Sequence, residues 1–332
     1  KTYTCAGIWD DKHIPAYRRL NDFLRLYDAV PAIQLGHSGR KGSCHDAIKD
    51  WVPLSEADAA DGMPPWRAIA PSAIPQTPDH PVPKAMDEAD IADVIEAFAA
   101  AARRSDAAGY DIVEIHAAHG YLLHQFLSPI TNKRNDGYGG TRENRMRFPL
   151  EVARAVRAAW PSDKPLFYRI SAVDGQGGMW NIEDSIAFAR ALKDEGVDVI
   201  DCSSGGIVGS ASMSTVPRLP GFQVPFSERV KKEAGIATMA VGLITEAEQA
   251  ERVLRNGEAD LIAIARELMW YADWPAHAAK ELGIEDHRFM PERYAHRLRL
   301  RDAQARMPIN QPTPENYAVL SELAGKAVAP DD

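Results

Sequence analysis

The sequence predicts an α/β fold with parallel strands. Short apolar runs alternate with longer segments whose apolar residues recur at steps of three and four, as in strands followed by crossover helices. The clearest case is residues 110–140. There an apolar run holding Ile112, Val113 and Ile115 gives way abruptly to His116, His119 and Tyr121. Polar groups gathered at the carboxyl end of an apolar strand mark where parallel α/β folds carry their sites. At 332 residues the chain suffices for one large barrel or for two smaller domains.

In chain order, residues 10–27 read as a helix with an apolar face of Ile14, Leu20, Phe23, Leu24 and Tyr27. A strand over 30–35 follows, interrupted by the amide of Gln34. Residues 38–86 are rich in proline and lack a sustained period, as expected of a rim or lid segment. A helix over 87–108 presents Ile91, Ile95, Phe98 and Ala102 on one face and stops at Gly109. After the central strand, residues 132–140 read as a glycine-containing surface loop, and 141–160 as helix with Met146, Leu150, Ala153 and Val156 inward. Residues 165–172 form a strand that carries Arg169. Residues 183–195 are helix closed by Gly196, and 197–203 are strand. The stretch 207–226 reads as loop. A strand over 237–244 carries Gly242, residues 245–248 form a capping box, and a last strand spans 260–265 with Arg266 directly after it. About six strand-like runs result. Beyond Gly283 come a charged helix-like segment to Arg306 and a proline-containing tail.

Composition narrows the function classes. With 45% hydrophobic and 26% charged residues, the chain is ordinary for a globular protein. A net charge of −9, from 38 basic and 47 acidic side chains, argues against wrapping by nucleic acid or adhesion to an anionic membrane. Cys5, Cys44 and Cys202 are scattered and odd in number, which suits a reducing cytoplasm and offers no iron–sulfur framework. No apolar stretch is long enough to span a bilayer.

Two histidines three residues apart can face one small acceptor, such as a carbonyl or nitro oxygen, while a nearby phenol gives up a proton. A zinc site or a structural pair is the alternative. Zinc is disfavoured, because the pair lacks the H-E-x-x-H pattern, has no cysteine beside it and has only His124 as a further ligand. Gln34 on a strand must satisfy its amide, against neighbouring backbone or against a ligand edge offering both a donor and an acceptor. Arg169, among Phe167, Tyr168 and Ile170, needs an anion or strong acceptor, which a structural Asp or Glu could equally supply.

The segments Gln34-Leu35-Gly36-His37-Ser38-Gly39-Arg40, His116-Ala117-Ala118-His119-Gly120-Tyr121-Leu122-Leu123, Asn132-Lys133-Arg134 with Tyr138-Gly139-Gly140, and Glu143-Asn144-Arg145 resemble the Old Yellow Enzyme family of FMN-dependent ene-reductases. The His/His pair is similar to the thermophilic-like or xenobiotic-reductase branch. The resemblance implies a (β/α)₈ TIM barrel over residues 1–285, with the first one or two βα units absent from the chain, and a C-terminal extension over 286–332. It implies FMN as cofactor and NADPH or NADH as reductant. In its terms His116 and His119 bind the substrate oxygen and Tyr121 donates the proton. Gln34 meets the flavin pyrimidine edge, Arg169 lies near N1 and O2, and Gly242 with Ala265 and Arg266 cradles the phosphate. Ala265 stands where the family usually has glycine, so its amide can serve only if its φ is negative. Family members that are oxidases, demethylases or aromatic thioester reductases would share these contacts, and a barrel that binds flavin without turnover is the non-enzymatic alternative. A homo-oligomer acting on a small activated alkene is the expectation.

Overall fold

The computed structural model describes residues 1–177, 179–209, 215–284 and 286–325. The chain divides into two compact units: Lys1–Thr245 with Gln249–Ile264, and Glu246–Glu248 with the chain from Ala265 on.

The first unit is a run of βα elements. Helix α1 (Ile14–Arg25) precedes strand β1 (Ala32–Leu35), and the long excursion that follows holds only short turns of helix and the two-residue strands β2 (Ile69–Ala70) and β3 (Lys84–Ala85). Then come α2 (Glu88–Ala107), β4 (Ile112–Ala117), α3 (Leu122–Leu127), α4 (Arg142–Ala159), β5 (Leu166–Ser171), α5 (Ile182–Asp194), β6 (Val199–Ser203), α6 (Val224–Ala234), β7 (Ala237–Val241), α7 (Ala247–Arg255) and β8 (Leu261–Ala263). The second unit adds α8 (Arg266–Trp270), α9 (Trp274–Glu281), α10 (Glu292–Ala305) and α11 (Pro314–Leu323).

The strands β1-β4-β5-β6-β7-β8 pair in that order and in parallel. This is the α/β architecture expected, and among the described residues its main sheet has the expected six strands, β2 and β3 pairing apart from it. Successive side chains alternate between faces. One face is Val113, Ile115, Leu166, Tyr168, Ile170, Ile200 and Cys202, buried in one core cluster with Phe98, Phe148, Val152, Phe188 and Leu192 of the helices. The register places Gln34 beside Glu114, His116 beside Arg169, and Arg169 beside Asp201, all on the opposite, polar face.

Cap chemistry explains the helix starts. Asp87 accepts from Asp90 N–H and Asp90 answers it, a capping box for α2. Asn181 does the same with Asp184 for α5, and Thr141 caps α4 through Asn144 N–H.

Three local expectations need correction. Ile14 and Tyr17 of α1 pack against the core, but Leu20 and Phe23, and Tyr27 just beyond the helix, face outward at 50%, 55% and 55% exposure, whereas Asn21 is fully buried. The helix is anchored also by its polar side: Arg18 donates to Ala107 O at 2.6 Å, Asn21 Nδ2 to Ala108 O at 3.0 Å, and Arg25 pairs with Asp111 at 2.7 Å. Those groups meet the free carbonyls and negative dipole end of α2. Residues 224–226, read as loop, open α6, where Pro225 occupies the first turn without cost because no N–H is needed there. The tail past Arg306 contains α11, capped by Thr313 accepting from Asn316 N–H.

Among the described residues no helix is long and apolar enough to cross a membrane.

Candidate active site

The polar face of the sheet ends in a sharp reversal after β4. His119 (φ +55°) and Gly120 (φ +71°) both occupy the left-handed region, turning the chain from strand into α3. Histidine tolerates that region better than most residues. Glycine is required at 120, since a Cβ there would stand 2.2 Å from Gly206 O. Gly120→Ala therefore carries both left-handed strain and a backbone clash, and we expect a loss on the order of 3 kcal/mol, read as a lower urea midpoint. An unchanged midpoint would mean that the 205–207 backbone yields freely.

The reversal is pinned from both sides. His119 N–H donates to Ser171 Oγ at 2.9 Å, and that hydroxyl donates to Gly205 O at 2.9 Å. Lys41 Nζ donates to three carbonyls, His119 O at 2.9 Å, Gly206 O at 2.5 Å and Gly209 O at 2.9 Å. Burial, with the Lys1 and Arg40 charges, lowers its pKa to about 7.

Hydrogen bonding determines the protonation of the histidine pair. Ala118 N–H donates to His116 Nδ1 at 3.2 Å, so that nitrogen is an acceptor. A neutral His116 then carries its proton on Nε2, which lies 3.2 Å from His119 Nδ1. His119 in turn carries its proton on Nε2, 2.6 Å from Ser203 Oγ. The Ser203 hydroxyl donates onward to Gln223 Oε1 at 3.3 Å, where Ser204 Oγ also donates at 2.8 Å, and Gln223 Nε2 donates to Val241 O at 2.9 Å. Burial drives the His116 pKa down to about 3, with the Arg169 charge a further cause. His119 is lowered by burial, then by His116 and Arg169. Both imidazoles are neutral. The Tyr121 ring centroid lies 4.8 Å from that of His116. Burial raises the phenol pKa, keeping its proton in place at neutral pH. Among the described residues its hydroxyl has no hydrogen-bond partner.

Of the predicted residues, His116, His119 and Tyr121 thus come together. Gln34 is exposed on the same face and its amide nitrogen donates to Glu114 Oε2. Arg169 Nε lies 3.1 Å from Asp201 Oδ2, within ion-pair reach but outside hydrogen-bond geometry. The structural carboxylate partner is present, yet the guanidinium keeps donors unfilled among the described residues. Gly242 follows β7 with φ +121°, and a Cβ there would come within 2.8 Å of the Phe222 ring and 2.9 Å of the Gln223 amide. Ala265 and Arg266 belong to the second unit, both exposed, with Ala265 at φ −122°, the negative value its amide needs. Half-buried Arg169 with donors unfilled among the described residues, the Gln34 amide two strands away on the same face and the glycine-only approach at 242 fit a planar anionic cofactor. Lys41, Ser171, Ser203, Ser204 and Gln223 escaped the sequence reading. Only the position of Lys41 directly after Gly39-Arg40 gave a hint.

The sequence matches the NADH:flavin oxidoreductase / NADH oxidase family over residues 2–285. The chain belongs to this family. NADPH dehydrogenase of Geobacillus sp. (strain WCH70) is 47% identical over 277 residues, covering 83% of this chain and 74% of that one. The NADPH dehydrogenase of Geobacillus thermodenitrificans is 45% identical over 279 residues, covering 84% and 74%. Among solved structures, the chain resembles 2-naphthoyl-CoA reductase in complex with 2-naphthoyl-CoA (TM-score 0.72, 24% identity, 86% of this chain and 43% of that one). It also resembles an old yellow enzyme homologue from Zymomonas mobilis (TM-score 0.66, 24% identity, 88% and 80%) and histamine dehydrogenase from Rhizobium sp. 4-9 (TM-score 0.67, 29% identity, 84% and 38%). The chain spans less than half of the naphthoyl-CoA reductase and histamine dehydrogenase chains. Old Yellow Enzyme membership makes it a TIM-barrel-type FMN oxidoreductase using NAD(P)H.

Proposed function

We propose that the chain is an ene-reductase acting on an activated alkene, an enone or nitroalkene, with the electrons of NAD(P)H. The observation that carries this reading is a neutral histidine pair, able to donate without protonation, beside a phenol whose hydroxyl is uncommitted. His116 and His119 bind the carbonyl or nitro oxygen and withdraw density from the double bond. Such donors, fixed in advance where negative charge develops, stabilise the transition state. Tyr121 holds its proton at neutral pH and delivers it to the α-carbon. FMN, when bound, supplies hydride to the β-carbon. Gln34 and Arg169 would hold its ring, and the glycine-only approach at Gly242 would admit its phosphate. Arg169 would favour the negative charge that reduction brings.

The test is anaerobic. NADPH should bleach the holoenzyme, and cyclohex-2-enone should restore the colour with stoichiometric cyclohexanone. Tyr121→Phe should slow the second step while sparing the first, and equal slowing of both would remove the proton-donor role. Bleaching of the oxidised holoenzyme by an amine test substrate would favour an oxidase or a demethylase instead, and recolouring of the reduced enzyme by an aromatic thioester but not by the enone would favour a thioester reductase. Absence of any bleaching would favour a flavin-binding barrel without turnover.

A further inference from the structure

The hydrogen-bonded chain running from Ala118 to Val241 has one direction only, and that direction conflicts with substrate binding. His116 Nε2–H is spent on His119 Nδ1, and His119 Nε2–H is spent on Ser203 Oγ. In this tautomer the nitrogen of His119 that faces His116 carries no proton. Two donors can converge on one substrate oxygen only if His119 carries its proton on Nδ1. We infer that Ser203 is a positioning residue that lets His119 change tautomer, accepting from Nε2–H in the free site and donating to Nε2 when substrate oxygen enters between the histidines. The inference rests on the anchoring role proposed above for the pair.

A hydroxyl suits this work because it is donor and acceptor at once and turns about a single bond. Its rotation is also cheap here. In the free site Ser203 donates to Gln223 Oε1 at 3.3 Å, a long bond to an oxygen that Ser204 already serves at 2.8 Å. Turning toward His119 leaves Gln223 satisfied by Ser204, with its own amide still held on Val241 O. His116 cannot share the change, since Ala118 N–H keeps its Nδ1 an acceptor. The switch is therefore confined to one ring. One proton leaves His119 Nε2 and one arrives at Nδ1, each exchanged with solvent, to which His119 is partly open, so the imidazole stays neutral throughout. Ser171 and Lys41 hold the His119 backbone on both sides, so the ring need not swing away to make the change.

Ring-¹⁵N histidine spectra of the oxidised holoenzyme report the tautomer directly, with His119→Gln assigning the signals. Without ligand, His119 should be protonated on Nε2; saturation with cyclohex-2-enone in the absence of reductant should move the proton to Nδ1. Ser203→Ala should abolish that move and weaken enone binding by roughly tenfold, about the worth of one hydrogen bond, while Ser203→Thr should restore both. The same His119 tautomer in free and bound enzyme, or a Ser203→Ala enzyme that switches as the wild type does, would overturn the inference. His116→Ala separates the two ideas. If it weakens enone binding and His119 nevertheless keeps one tautomer, only the switch fails; if it binds enone like wild type, the anchor reading fails and takes the switch with it.

Discussion

Replacing His116 by alanine should lower kcat/KM for cyclohex-2-enone by about 10²–10³-fold, the usual result of removing one donor from a developing oxyanion. The loss should fall on the step that consumes the alkene. Anaerobic reduction of the bound flavin by NADPH should keep its rate, because the residues expected to hold the ring, Gln34 and Arg169, lie on other strands, β1 and β5. His116 is only 6% exposed, so truncation also leaves a void, and flavin content measured by absorbance separates lost chemistry from lost fold. Alkene turnover at the wild-type rate would remove the imidazole from the reaction. Equal loss in both half-reactions would point to a disturbed sheet.

The second large effect is on stability in mild acid. His37, His116 and His124 are held neutral by burial, their pKa values lowered from 6.5 to about 4, about 3 and about 3, and His119 is lowered as well. Between pH 6.5 and those values the unfolded chain binds protons that the folded one refuses. The stability associated with neutral imidazoles is thus complete above about pH 6.5 and is lost as the pH falls below it. Asp201, raised to about 7 by burial, runs the other way, since in this window the folded chain keeps a proton that the unfolded chain has released; Glu114 is shifted in the same direction. His37, His116 and His124 against Asp201 leave a net uptake of about two protons on unfolding, or roughly 3 kcal/mol per pH unit. Urea midpoints at pH 6.5 and 5.5 should differ accordingly. A flat profile would mean that the cluster takes up protons while folded.

The legible part of this molecule was whatever the chain encodes locally. Helix α2 carried its own stop and start, Asp87 answering Asp90 at one end and Gly109 at φ +84° at the other, and β4 announced itself by an apolar run ending in His116. Helix α1 was legible as a helix but not in its orientation. A period of three and four says that two faces differ, whereas Arg18, Asn21 and Arg25 meeting the end of α2 decides which one turns inward. The start of α6 was missed because Pro225 reads as a breaker until the helix is known to begin at Val224. His116, His119 and Tyr121 were found because one turn holds all three. Ser203, Gln223 and Lys41 arrive from β6, the start of α6 and the loop after β1, and no spacing along a single segment could have assembled them.

Lys41 limits how this framework can vary. One ammonium ties together the turn carrying His119 and the backbone at Gly206 and Gly209, and among the described residues no carboxylate accepts from it. Lengthening residues 206–209 by even one residue would strip acceptors from a buried charge, and methionine at 41 would leave three carbonyls wanting. Changes of reactant preference therefore have to be recruited from the proline-rich excursion over 45–83, where insertions cost little chain entropy and disturb none of these bonds.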